Sequence, residues 1–245
     1  MHLDPAPLGP FGRSDPRPDH GSDPSYGLFS LSRFFFDDAP SSFAGAQAAV
    51  SGLDVGILIN NVGASYPHPM YLHEVDDALV STLIKVNVEG TTGVTRAVLP
   101  GMLERKRGAI VMIGSAAATA LPSEPLYAVY AATKAYVDQF ARVLHVEYKR
   151  QGIDVQLQAP FYVSTKMSKI RKASLAVPTP AAYARAALRA VGYEPRIAPF
   201  WAHAVMWGII QWVPETLLDQ VRLSMCIDLR KRALKKKEAA ANKAE

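Results

Sequence analysis

The chain has 245 residues, 49% of them hydrophobic, enough for one substantial core, and carries a formal net charge of +5. Its single cysteine, Cys226, excludes an intramolecular disulfide framework and fits a reducing compartment. The basic excess is gathered near the end, in Arg230-Lys231-Arg232 and Lys235-Lys236-Lys237, without the motifs or aromatic interleaving of a nucleic-acid binder; it reads as a solvated tail or a contact with an anionic membrane surface.

Residues 1–32 are rich in Pro, Asp and Ser, lack the apolar core of a secretory signal, and read as a disordered segment. From Arg33 onward short apolar runs alternate with longer helix-patterned stretches, the signature of a parallel sheet covered by helices. Strands are predicted at about 33–36, 55–59, 109–113 and 153–157, and helices at 41–50, 76–103, 130–149 and 180–191. Ligands gather beyond the carboxyl ends of such strands, so Asn60-Asn61-Val62-Gly63, Gly114-Ser115 and Gln158-Ala159-Pro160 are expected to line one crevice. The segment 197–213 is free of charge and carries Trp201, Trp207 and Trp212. It falls short of the roughly 20 apolar residues of a membrane span and is interrupted by Pro199, His203 and Gln211, so an interfacial or substrate-covering helix is expected ahead of a core helix, and either ahead of a true span. Residues 33–237 then form one domain, and 238–245 a disordered tail.

The chemistry gathers at Tyr130-Ala-Ala-Thr-Lys134. A Tyr four residues before a Lys shares its helical face, where an ammonium is expected to stabilise phenolate and lower the phenol from about 10, making Tyr130 a usable general acid. The same spacing recurs at Tyr162-Val-Ser-Thr-Lys166, in a stretch that reads as a loop. Context favours Tyr130: it opens a long helix, and Ser115 upstream directly follows a strand, placing a hydroxyl for the substrate carbonyl at the same sheet edge.

These residues, with Asn60-Asn61-Val62-Gly63 after a strand and Asn87 within Lys85-Val-Asn-Val-Glu-Gly90, resemble the short-chain dehydrogenase/reductase family over roughly 33–237. The runs Gly52 to Asn61, Glu89-Gly-Thr-Thr92 and His145-Val-Glu-Tyr148 look most like its very-long-chain 3-oxoacyl-CoA reductases (beta-ketoacyl reductases), with the 17-beta-hydroxysteroid dehydrogenases as near relatives. The resemblance implies a Rossmann-like, doubly wound α/β sheet and reduction of a long-chain 3-oxoacyl-CoA with NADPH. Tyr130 would donate the proton, Lys134 lower its pKa and bind the nicotinamide ribose, Ser115 orient the carbonyl, and Asn87 hold a relay water. Asp37 would lie near the adenine, Asn60 and Gly63 beside the cofactor, and Val163 and Thr165 at its nicotinamide end; no metal ligands are implied. It further implies a place in a fatty acid elongation complex on the cytosolic face of the endoplasmic reticulum membrane, and a homodimer through the helices bearing Asn87 and Tyr130.

Two departures shape the expectations. Phe161 stands where the family usually has Gly after Pro160. Before Arg33, Gly9-Pro-Phe-Gly12 has neither a preceding strand nor a following helix, so it fails as a dinucleotide fingerprint. The expected domain therefore lacks the first βαβ unit with its Gly-rich loop, grips cofactor weakly and is poorly stable; the competing reading is a catalytically impaired relative that acts as an interaction partner.

Overall fold

The structure, a computed structural model, describes residues 43–242; the strand predicted at 33–36, the disordered reading of 1–32 and Asp37 lie outside the described residues. Four strands, β1 (Ile57–Asn60), β2 (Gly108–Ile113), β3 (Ile153–Gln158) and β4 (Arg196–Ile197), form a sheet in that order, every pair parallel. The first three match the predicted runs to within two residues at either end, because β-branched clusters bounded by Gly or polar residues have few other options. The two-residue β4 was not predicted: between Pro195 and Pro199 it carries no periodicity, yet it pairs with Leu157 and Gln158.

The helices are α1 (Phe43–Val50), α2 (Asp77–Ile84), α3 (Thr91–Arg105), α4 (Ala116–Thr119), α5 (Ala128–Tyr148), α6 (Pro180–Arg189), α7 (Trp201–Ile210) and α8 (Glu215–Ala241). Local chemistry sets several starts. Asp76 caps α2 by accepting from the Leu79 N–H at 2.6 Å, and Thr179 caps α6 at 3.2 Å just ahead of Pro180 in its first turn. The helix predicted over 76–103 is instead three pieces, because a π-helical turn at Lys85–Gly90 separates α2 from α3. The stretch from 238, expected to be a disordered tail, is helical as far as Ala241.

The core fills the space between the sheet and α3 and α5, with Leu58, Met102, Ile110, Met112, Ile153 and Leu157 at its centre. Fully burying each such side chain contributes about 1.5–3 kcal/mol. On the opposite face of β3, Gln156 donates to the Ala190 and Glu194 carbonyls at 2.7 and 2.8 Å, and Gln158 to Ala187 at 2.9 Å, so two buried amides satisfy the open end of α6. Gly152 turns the chain into β3 at φ +84°, where a Cβ would lie 2.0 Å from the Lys106 carbonyl oxygen; no other residue fits.

Candidate active site

The carboxyl ends of β1, β2 and β3 meet as expected. The Gly114 N–H donates to the Gln158 carbonyl at 2.8 Å and the Ala116 N–H to Pro160 at 2.9 Å, so the loops leaving β2 and β3 run side by side. Ser115 caps α4 by accepting from the Ala117 N–H at 3.2 Å, and it lies near the Tyr130 phenol in the first turn of α5. The carbonyl-orienting hydroxyl and the acid proposed from sequence are thus neighbours.

Lys134, one turn further along α5, is buried and its Nζ donates to the Ile113 carbonyl at the end of β2 at 2.9 Å. Burial lowers the ammonium to about 8. The expectation that Lys134 lowers the phenol is corrected here: burial pushes Tyr130 above its ordinary value, Ser115 opposes that rise, and Glu124 and Tyr162 add to it.

Asn87 sits fully buried in the π-helical turn. Its Oδ1 accepts from the Ala64 N–H at 2.8 Å, while Nδ2 donates to the Ala64 carbonyl at 3.0 Å and to Thr133 Oγ1 at 2.9 Å. The side chain fastens the loop after β1 to α5 immediately beside Lys134. Gly63 borders the same spot, since a Cβ there would meet Lys134 Nζ at 3.3 Å and Asn87 Oδ1 at 3.5 Å. Asn60 donates to Thr95 Oγ1 at 2.9 Å, tying the end of β1 to α3. Val163 and Thr165 lie in the loop after β3, which is knotted around Ser168: Ser168 Oγ donates to the Val163 carbonyl at 2.6 Å and its N–H to Thr165 Oγ1 at 3.2 Å. Where a Gly was expected, Phe161 packs on the buried His203 ring at 5.5 Å, and its N–H points to His203 Nδ1 at 3.4 Å.

Sequence reasoning missed the upper wall of the crevice. Glu124 forms an ion pair with Arg222 of α8, and the Tyr127 ring stands edge-on to Tyr130 at 6.4 Å. Tyr162 lies in a loop, as read, and is partly exposed. Arg230, assigned from sequence to a basic cluster, forks onto Glu74 at 2.5 and 2.7 Å and lies over the Tyr71 ring at 5.4 Å.

A hydroxyl pair with a buried ammonium one turn away can hold a carbonyl oxygen and give it a proton. The residues also fit the nicotinamide end of a dinucleotide: Gly63 leaves an opening against Lys134 and Asn87 that a side chain would fill, and Nζ has N–H groups beyond the one used on Ile113. A family model for short chain dehydrogenases matches residues 37–175, which include each of these crevice residues except those on α8 and His203. The chain belongs to the short-chain dehydrogenase family.

Among curated members of the family, a very-long-chain 3-oxoacyl-CoA reductase-like protein of Arabidopsis thaliana is 52% identical over 204 residues, covering 81% of this chain and 65% of the relative. The very-long-chain 3-oxoacyl-CoA reductases of Rattus norvegicus and Homo sapiens are 43% and 38% identical, each over 78% of this chain and 61% of theirs. This short-chain dehydrogenase thus spans less than two thirds of the length of these relatives. The fold matches a 7beta-hydroxysteroid dehydrogenase at TM-score 0.65 and 18% identity, covering 75% of this chain and 72% of that one. It also matches a short-chain dehydrogenase from Sphingobium yanoikuyae in complex with NADPH at TM-score 0.56 and 24% identity, covering 72% and 73%.

Proposed function

We propose that this protein reduces a long-chain 3-oxoacyl-CoA to the 3-hydroxy compound with NADPH, and that Tyr130 is the general acid. The observation that carries the reading is the gathering of Ser115, Tyr130 and the buried Lys134 at the carboxyl end of β2, where Lys134 Nζ donates to the Ile113 carbonyl. The substrate class is supported by the very-long-chain 3-oxoacyl-CoA reductases among its relatives. NADPH supplies the hydride when bound; Lys134, Gly63, Asn60, Val163 and Thr165 are the residues that would hold its nicotinamide half. Ser115 orients the ketone oxygen, and Tyr130 gives its proton to that oxygen as negative charge develops there.

The setting we propose is the cytosolic face of the endoplasmic reticulum membrane, within an elongation complex. Exposed Trp201, Ile209 and Trp212 on and just after α7 support contact with a lipid surface, as do the exposed Lys235, Lys236 and Lys237. No helix of the described residues is long and apolar enough to cross a membrane.

Tyr130→Phe tests the acid, because it removes one oxygen and keeps the ring. Turnover of a 3-oxoacyl-CoA should fall by about 10²–10⁴-fold, while NADPH binding, followed by nicotinamide fluorescence, stays within a factor of about two. Equal turnover by variant and wild type would remove Tyr130 from the mechanism.

A further inference from the structure

Helix α8 buries only Arg222 and Cys226. Its half-buried residues mix the charged Asp219 and Arg230 with Leu218, Ile227 and Leu234, while Leu217, Val221, Leu223, Met225 and Leu229 are exposed. A helix held by apolar packing alone buries a broader apolar stripe. Polar rungs hold α8 against two loops on the side of the sheet that bears the carboxyl ends of the strands. Asp219 accepts from the Ser123 hydroxyl, and Arg222 pairs with Glu124, both partners in the loop between α4 and α5. Arg230 takes Glu74, in the loop after β1. One helix stripe thus spans the mouth of the crevice that contains Tyr130.

The central rung is the costly one. The Arg222 and Glu124 side chains are only 10% and 7% exposed, and each still carries one buried polar atom without a hydrogen bond, Arg222 Nε and Glu124 Oε2. Taking two charges out of water and leaving them incompletely satisfied adds little to stability, and such pairs are retained for geometry. The geometry fixed here concerns the acid. Glu124, the partner of Arg222, sits in the loop that leads to the acid, and Tyr127, at the end of that loop, stands edge-on to Tyr130.

We propose that Arg222 is a positioning residue: by pairing with Glu124 it docks α8 as a roof over the loop that leads to Tyr130, and so fixes the upper wall against which the substrate is held. The docking claim stands on the contacts alone; its consequence for turnover rests on the reductase reading above.

The test is hydrogen exchange across α8 in the full chain, with Arg222→Met, Glu124→Gln and the conservative Arg222→Lys. Exchange of α8 amides in Arg222→Met and Glu124→Gln should accelerate at least about tenfold while β2 and β3 keep their protection, and Arg222→Lys should fall between them and wild type. Kinetics supplies the second readout: a loosened roof raises KM for the acyl-CoA several-fold, whereas a mere loss of folded protein lowers apparent kcat and leaves KM alone. Should Arg222→Met fail to fold, Glu124→Gln and Arg222→Lys carry the same comparison. Unchanged α8 exchange in the variants that fold would overturn the proposal. A wild-type chain that turns over no ketone would instead count against the reductase reading, with exchange still deciding whether α8 is docked by Arg222.

Discussion

Tyr130 and Lys134 share one face of α5, and burial pushes their proton affinities in opposite directions, the phenol up and the ammonium down to about 8. The lysine therefore carries a cost. Its proton is bound more weakly in the fold than in the unfolded chain, where the ordinary value is 10.5. Between pH 8 and 10.5 the unfolded state holds the extra proton, so stability rises with pH across that window and is lowest, as far as this group is concerned, below it. Lys134→Met should remove that rise. Urea midpoints at pH 7.5 and 9.5 should differ less in the variant than in wild type, and at pH 7.5 the variant should be at least as stable, while turnover is lost. A steeper pH dependence in Lys134→Met would show that the buried ammonium is not the group responsible. Tyr130, Lys134 and Ser115 were legible because each lies at a strand end or on a strongly periodic helix, whereas Asn87 came from the family resemblance alone. The direction of the Tyr130 shift was not legible, since spacing four residues apart gives proximity along a helix but not the Ile113 carbonyl that receives Nζ.

At the scale of elements, the helix carrying Asn87 is the one whose internal form matters most. Sequence periodicity runs evenly through 76–103, so nothing in it announces the π-helical turn at Lys85–Gly90, which depends on tertiary contacts. Such turns place side chains where a regular helix would not. Here Asn87 reaches both the backbone of Ala64 and the hydroxyl of Thr133, whose own proton goes to the Tyr130 carbonyl at 2.8 Å. Asn87→Ala leaves the Ala64 N–H and carbonyl without their partner in a largely buried place, at a cost of about 1–3 kcal/mol. Thr133→Val breaks one of the same bonds, so the two substitutions should be non-additive by about 0.5 kcal/mol or more in a double-mutant cycle of denaturation free energies. Strict additivity would mean that Asn87 does not act as the link between the loop after β1 and α5. The helix starts predicted at 76 and 180, by contrast, fall within one residue of α2 and α6, where Asp76 and Thr179 satisfy orphan N–H groups without help from the rest of the fold.

Across the whole molecule, what escaped sequence reading is what depends on long-range pairing. The charges of α8 looked like a solvated end because their partners, Glu74, Ser123 and Glu124, lie far away in the chain. The sheet raises a parallel issue at its other side. Among the described residues β1 pairs only with β2, and Ile57 and Ile59 are 59% and 43% exposed on it. An edge of exposed β-branched residues invites a further strand. Replacing residues 1–42 by a β-α-β segment carrying a Gly-rich turn, the unit implied by the family resemblance, should cover both isoleucines. Burying roughly half of each contributes about 2 kcal/mol, which for a domain of this size corresponds to a Tm higher by about 4–8 °C. The same segment supplies backbone N–H groups and a helix N-terminus for the pyrophosphate, so NADPH affinity should rise at least about tenfold. Calorimetry and nicotinamide fluorescence on the two chains measure both effects. A higher Tm with unchanged NADPH affinity would assign the edge to folding alone; tighter binding without a Tm gain would mean that Ile57 and Ile59 are already covered in the 245-residue chain.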